Sequence, residues 1–298
     1  MEHSSLPAQP SVVCVVVNWN GWEDTIACLD SLRRQDYAEL DVIVIDNGST
    51  NDSVERIRAA HPWVSVHETG KNLGFPSGCN VGTRMAYERR ADLIWLLNND
   101  TVTPPDTVSS LVRTWLHHPE AGAIGAVLYY MHEPGAVQAW GGGSINLGNA
   151  FIRHFTGPAS FSAGNTFFTG ASLLLPREVC ETVGIFFEGF FMYCDDVDLC
   201  VRIHRAGYPL VMCEDTAILH REGGSSPKRN PLIDQFATTS TMRLLQRIAP
   251  MPMLSICGYL FLRLANRVVR GRWSNFTGVC RGIRIFFQER NLSFTDRL

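Results

Sequence analysis

The sequence predicts an α/β fold with a mostly parallel central sheet and a helical extension at its C-terminal end. Three observations carry that expectation. Residues 11–17 form a valine-rich run, the composition of a strand buried on both faces. Two later apolar runs, 41–45 and 93–97, follow segments of helical periodicity, and strands alternating with helices imply a parallel sheet covered on both sides. After residue 226 the pattern becomes helical, with no further strand-like run.

The elements follow in order. A helix is expected over residues 22–34, with Ile26, Leu29 and Leu32 facing the sheet. The strand at 41–45 runs into Asp46, Asn47, Gly48, Ser49 and Thr50, a turn opening a helix whose capping candidates are Ser49, Asp52 and Ser53. Residues 64–67 read as a strand, 78–89 as a helix and 93–97 as a strand. Ligands of such sheets bind beyond the carboxyl ends of the strands, and both Asp46 and Asp100 stand there. Residues 131–165 read as a long irregular stretch, either a flap over the substrates or a plain loop. A strand is expected at 172–175, and Asp195, Asp196 and Asp198 begin a helix, where carboxylates suit the dipole. Asp198 is spaced to pair with Arg202 one turn on.

Length allows one domain of moderate size plus an appendage, read as a tail at 1–10, a domain at 11–226 and a basic helical region at 227–298. Nine scattered cysteines without a CxxC pair suggest reduced thiols, neither a disulfide framework nor a zinc site. Residues 1–10 lack a basic stretch followed by an apolar one, so no secretory leader is expected and the cytoplasm is the expected compartment. The net charge of −3 conceals an asymmetry. Residues 1–242 carry 27 acidic against 16 basic groups, and residues 243–298 carry 2 against 10. An acidic body argues against a nucleic-acid surface and leaves the basic tail to meet an anionic one.

Two separated motifs carry the chemistry: Asn98-Asn99-Asp100 behind an apolar strand, and Asp195-Asp196 behind Phe190-Phe191-Met192-Tyr193. Together they supply an anion-and-metal end and a general base, which a group-transfer site requires. With Asn18-Trp19-Asn20-Gly21, Asp46-Asn47-Gly48-Ser49, Asn72-Leu73-Gly74-Phe75, Thr169-Gly170-Ala171 and His220, they form an ordered series over residues 11–226 that resembles the family 2 inverting glycosyltransferases, most closely a rhamnosyltransferase-like branch. The resemblance implies a GT-A fold, a nucleotide-diphosphate sugar donor, a divalent metal (Mg²⁺ or Mn²⁺) and single displacement with inversion.

It also distributes roles. Asp46 would accept a hydrogen bond from N3–H of a uracil or thymine ring, or serve as a turn residue. Asn18 and Asn20 would line the base and ribose pocket, or cap the following helix; Asn72, Gly74, Asn98, Asn99, Gly170 and Ala171 would complete the donor site. Asp100 would ligate the metal, with His220 a further ligand, since an amide at Asn98 replaces one carboxylate of the family's Asp-x-Asp. Asp196 would be the general base, its basicity raised by repulsion within the acidic cluster, and Asp195 and Trp140 would lie on the acceptor side. The branch resemblance implies dTDP-L-rhamnose, or a UDP-sugar, and a glycan or lipid-linked acceptor in polysaccharide synthesis.

The basic tail offers a helix over 254–270 in which Arg263, Arg267 and Arg270 share a face, while Ile256, Tyr259, Leu260, Phe261 and Leu264 supply apolar surface. Such a helix suits the inner face of an anionic membrane, packing on the domain, or a homodimer contact. Two other classes compete. A sugar-1-phosphate nucleotidyltransferase would carry a glycine-rich basic loop after its first strand, where this chain has Asn18-Trp19-Asn20-Gly21, and a non-catalytic nucleotide-sugar binding module would need no Asp195-Asp196 cluster.

Overall fold

The computed structural model describes residues 9–133, 135–221 and 230–289. The expected boundary at 226, and most of the expected N-terminal tail, lie outside these residues. Strand β1 (Val12–Asn18) leads into α1 (Trp22–Leu32), β2 (Leu40–Asp46), α2 (Ser53–Ala60), β3 (Ser65–Glu68), α3 (Phe75–Glu88) and β4 (Leu93–Asn98). The short β5 (Thr101–Val102) precedes α4 (Thr107–His117), β6 (Ala123–Tyr130) and four further strands: β7 (Val137–Trp140), β8 (Gly142–Asn146), β9 (Phe151–His154) and β10 (Thr166–Phe168). The body closes with β11 (Ser172–Pro176), α5 (Arg177–Val183), α6 (Asp195–Arg205) and β12 (Leu210–His220), and three helices follow: α7 (Pro231–Ile248), α8 (Pro252–Val269) and α9 (Trp273–Glu289).

The main sheet runs β3-β2-β1-β4-β11-β6-β12-β5, with β7 added to β6. Its first four strands are parallel, as expected for strands joined through helices. Beyond β4 the sheet is mixed. β11 runs antiparallel to both β4 and β6, and β12 returns parallel to β6.

The valine-rich β1 divides two cores by its alternation. Val13, Val15 and Val17 join Ile43, Ile45, Ile94 and Leu96 under α3 and α6. Val12, Cys14 and Val16 join Val42, Val44, Trp95 and Leu97 under α1 and α4. Helix α3 approaches the sheet closely because Gly82 has no side chain: a Cβ there would lie 2.2 Å from Val15 Cγ1.

Three local expectations are corrected. Helix α3 begins at Phe75, earlier than the expected residue 78, because Pro76 fits the first turn of a helix. Asp52 occupies the N-cap of α2 without a side-chain cap bond; its carboxylate turns to Arg56, while the Asn51 side chain accepts from Ser53 N (3.2 Å). The stretch 131–165 contains β7, β8 and β9 rather than a plain loop. With β10, β8 and β9 make a small antiparallel sheet, and glycines 142 and 143 admit the neighbouring backbones.

The C-terminal helices pack on the body. Arg247 on α7 reaches the buried Asp198 on α6 (2.8 Å), and Met242, Leu245, Ile256, Tyr259 and Phe286 form a third core. Two of the three arginines assigned to a shared basic face of α8 are turned inward. Arg263 and Arg267 both donate to Asp234 on α7, a carboxylate that also accepts from Asn275 and is 4% exposed. Ile256 and Tyr259 are likewise buried, so of the apolar residues singled out on this helix, Phe261 is the one left fully exposed.

Candidate active site

The carboxyl ends of β1, β2 and β4 converge, and the side chains there are tied together before any ligand is considered. Asp46, 2% exposed, accepts from Ser49 N (2.9 Å) on Oδ1 and from Ser49 Oγ (2.6 Å) and Asn18 Nδ2 (2.8 Å) on Oδ2. A carboxylate offers about four lone-pair sites, so one on Oδ1 is left for a ligand N–H. Asn18 is fully buried, and its Oδ1 accepts from Thr25 Oγ1 (2.9 Å) and Gly21 N (3.3 Å); it therefore orients Asp46 and the start of α1. Asn20 has a left-handed φ of 55° and its Oδ1 accepts from Thr50 N (2.8 Å), which pins the turn after β2 to the end of β1.

The second loop at this edge is held by Asn47, whose Nδ2 donates to Asn72 Oδ1 (3.2 Å) and Gly74 O (3.0 Å). Gly74 has φ 87°, and a Cβ on it would stand 2.5 Å from Phe191 O. That absence of a side chain lets Phe75 N donate to the same carbonyl (2.9 Å), joining residues 72–75 to the segment that leads into α6.

At the end of β4 the side chains diverge. Asn99 Nδ2 donates to Thr25 Oγ1 (3.0 Å), whereas Asn98 and Asp100 meet His220 at the end of β12. His220 Nδ1 lies 2.8 Å from Gln138 Oε1, and Nε2 lies 3.3 Å from Asn98 Nδ2. With the amides so oriented, Gln138 Oε1 accepts from Nδ1–H and Asn98 Nδ2 donates to Nε2, the arrangement of a ring protonated on Nδ1. Nε2 also lies 3.1 Å from Asp100 Oδ1. That separation matches adjacent ligands of an octahedral cation with bonds of about 2.1 Å, whose spacing is about 3.0 Å. Asn98 Oδ1, buried without a hydrogen-bond partner, is a further oxygen beside them. Among the described residues no group of three His, Cys, Asp or Glu side chains is placed to hold a metal, so the protein offers two strong donors and an amide. Such a set fits a hard cation that is completed by ligand oxygens. Arg221, whose backbone N–H donates to Asp100 O (3.0 Å), directs its guanidinium to Asp24 (2.8 Å).

The acidic cluster is brought to this edge by the strand-opening residues 169–171. Asn98 N donates to Ala171 O (3.0 Å), and Gly170 N donates to Asp196 Oδ2 (3.1 Å). A Cβ on Gly170 would make only ordinary contact with Asp196 Cβ at 3.6 Å, so the fold itself does not demand a glycine there. Asp195 and Asp196 open α6 after two consecutive left-handed residues, Tyr193 (φ 70°) and Cys194 (φ 68°). Such residues cost on the order of 1–3 kcal/mol each and persist where the surroundings impose them. Ser240 Oγ donates to Met192 O (2.7 Å), and Thr241 Oγ1 lies 3.7 Å from Cys194 Sγ, so α7 braces this turn.

Burial raises the carboxyls of both Asp195 and Asp196 above the ordinary range, and for Asp195 the neighbouring Asp196 charge adds to it. The leading cause is desolvation, not the mutual repulsion expected from the sequence. Asp198 is fully buried between Arg202 (2.8 Å) and Arg247 (2.8 Å), and its charge adds a smaller push to Asp195. Trp140, expected on the acceptor side, sends its indole N–H to Glu214 on β12 (3.4 Å), not to the acidic cluster. Gln138 and Thr25 were missed, and Ser49, expected as a helix cap, instead donates to Asp46. Nothing in the local sequence marks Gln138 or Thr25, because their partners His220 and Asn99 lie far along the chain.

Glycosyl transferase family 2 matches residues 13–184 of the chain. O-antigen biosynthesis protein RfbC of Myxococcus xanthus is 30% identical over 227 residues, covering 72% of this chain but 17% of that protein. An N-acetylglucosaminyl-diphospho-decaprenol L-rhamnosyltransferase of Mycobacterium tuberculosis is 26% identical over 224 residues, covering 66% of this chain and 72% of that one. Among solved structures, a mannosyltransferase of Pyrobaculum calidifontis in complex with GDP-Man and Mn²⁺ shares the fold with a TM-score of 0.58 at 19% identity, covering 97% of this chain and 82% of the other.

Gln138→Leu should free the His220 ring to change tautomer and orientation. Loss of such an outer partner typically weakens metal affinity about 10–100-fold. Mn²⁺ titration followed by electron paramagnetic resonance should show that loss without a change in melting temperature. Unchanged Mn²⁺ affinity would mean that Gln138 does not set the ring.

Proposed function

The chain belongs to glycosyl transferase family 2, and from that premise we propose that it transfers a sugar from a nucleoside-diphosphate donor to a hydroxyl acceptor with inversion at the anomeric carbon. The observation that carries this reading is the short hydrogen-bonded path from Asn98, through Ala171 and Gly170, to Asp196. It supports reading Asp196 as a base at the same strand-end edge as Asp100 and His220. Asp196 takes the proton of the acceptor hydroxyl as that oxygen bonds to the anomeric carbon. The bond to the diphosphate breaks on the opposite face, and the diphosphate leaves with the electron pair. Asp100 and His220 would hold a divalent cation, Mg²⁺ or Mn²⁺, which when bound offsets the charge gathering on the leaving diphosphate.

The remaining Oδ1 site of Asp46 suits N3–H of a pyrimidine, and the M. tuberculosis relative's name supports L-rhamnose as the sugar, so dTDP-L-rhamnose is the donor we favour over a UDP-sugar. The same name supports a lipid-linked saccharide acceptor, in the synthesis of a surface polysaccharide. Among the described residues no helix is long and apolar enough to cross a membrane. Helix α8 instead exposes an apolar stripe, Leu254, Phe261, Leu262 and Val268, with Trp273 beyond it, and arginines 270, 281 and 284 are also exposed. This is the composition of a surface that lies on an anionic bilayer, on the cytoplasmic side where nucleotide sugars are made. The proposed membrane face thus rests on these outward residues and not on Arg263 and Arg267.

Asp196→Asn should keep donor binding, read as a thermal shift with the nucleotide sugar and Mn²⁺, while transfer falls by roughly 10²–10⁴-fold. Near-normal turnover would remove Asp196 from the role. Because burial raises this carboxyl, wild-type kcat/KM should be full at neutral pH and be lost as pH falls through a value above the ordinary carboxylate range of about 4. A second variant, Leu254→Asp with Phe261→Asp, should abolish sedimentation with vesicles containing anionic lipid and spare transfer to a short water-soluble acceptor. Undiminished vesicle binding, or a shift from dimer to monomer on sizing, would contradict the membrane assignment.

A further inference from the structure

A cleft of about 1320 Å³ plays no part in the donor chemistry described above. It lies between residues 183–191 on one side and helices α7, α8 and α9 on the other. At one end it reaches Leu73 and Phe191, the residues that join the 72–75 loop to the segment entering α6. At the other it reaches Pro252 and the exposed Met253, where α8 begins its apolar stripe. The cleft therefore runs from the proposed membrane face to the base-bearing turn.

Its walls are of two kinds. Phe187, Phe190, Phe236, Ile285 and Phe286 give it an apolar floor. Four arginines, 202, 205, 243 and 247, line it together with three carboxylates, Glu188, Asp198 and Glu289. Glu188 is drawn off by Arg84 (3.2 Å), which lies outside the cleft. Asp198 is shared by Arg202 and Arg247, and Glu289 is met by Arg243. Two positive charges remain in excess within the cleft. Arg205 donates one N–H to Ile248 O (2.6 Å) and has no carboxylate partner among the described residues, so most of its guanidinium edge is uncommitted. Arg247 lies over the Phe187 ring at 3.9 Å, holding cationic and apolar surface side by side.

An apolar trough with surplus guanidinium charge matches an amphiphile with a hydrocarbon chain and a doubly charged head. We infer that this cleft binds the polyprenyl diphosphate portion of the acceptor, with the chain entering past Met253, the diphosphate against Arg205 and Arg247, and the saccharide emerging at Phe191 toward Asp196. The inference rests on the lipid-linked acceptor proposed above and names the surface that would select it. It also gives a reason for the packing of α7 to α9 on the body, since a detached tail could not form the second wall.

Farnesyl diphosphate, titrated calorimetrically into the full chain below its aggregation threshold and in EDTA, tests the cleft apart from the donor site. Binding should be at least tenfold tighter than that of either farnesol or inorganic diphosphate. Arg205→Glu should weaken it at least tenfold, and so should Ile285→Asn on the apolar wall. Neither variant should alter the thermal shift produced by nucleotide sugar with Mn²⁺. Absence of farnesyl diphosphate binding, equal binding of inorganic diphosphate, or indifference to both substitutions would overturn the inference. Donor hydrolysis, measured in parallel, separates the two readings: a protein that hydrolyses donor without binding farnesyl diphosphate loses the cleft alone, and the converse result leaves the cleft while removing the transferase.

Discussion

The site depends on a two-bond bridge at the mouth of β11. Ala171 O accepts from the backbone of Asn98, and Gly170 N donates to the carboxylate of Asp196. The first bond belongs to the sheet and the second to the α6 terminus, so the register of β11 against β4 decides where Asp196, the proposed base, stands relative to Asp100. A slip of one residue would turn every side chain of β11 to the other face and remove the N–H that Asp196 uses. The antiparallel insertion of β11 between β4 and β6 is therefore what brings two acidic positions, nearly a hundred residues apart, to one edge.

The bridge is loaded from behind. Tyr193 and Cys194 are held left-handed in the turn before Asp195, and the restraint comes from the C-terminal helices through Ser240, Thr241 and the Phe191–Phe236 stack at 4.7 Å. Arg247 adds a charged tie to Asp198 in the same first turn of α6, where removing one partner of a buried pair typically costs about 3–5 kcal/mol. The C-terminal helices thus pack behind the turn that carries Asp195 and Asp196. Cutting the chain within α7 would strip Arg247 and two core residues, Leu244 and Ile248, from the wall behind the base.

Much of this arrangement was legible in the residues, and its gaps have a common cause. Hydrophobic runs located β1, β2 and β4 because a strand buried on both faces has no polar alternation to confuse it. Asp198 and Arg202 were paired correctly because they are four residues apart on one helix. What could not be read was non-local. The inward turn of Arg263 and Arg267 follows from Asp234, about thirty residues earlier and on another helix, so local spacing gave the right shared face and the wrong environment. Gln138 sits in a stretch whose glycines suggest a loop, yet β7 carries it across to His220. Burial, which dominates the basicity of Asp195 and Asp196, is likewise a property of the packed chain and not of the cluster's own sequence.

The central claim is that a cation site at Asp100 and His220 and a base at Asp196 face one another across a single sugar. The most direct measurement is a crystal structure of the protein with Mn²⁺ and an unreactive nucleotide-sugar analogue, with the metal located by anomalous scattering. The account predicts Mn²⁺ bound to Asp100 and His220 Nε2, and the Asp196 carboxylate open to the face of the anomeric carbon opposite the diphosphate. Manganese elsewhere, or protein atoms standing between Asp196 and the sugar, would contradict it.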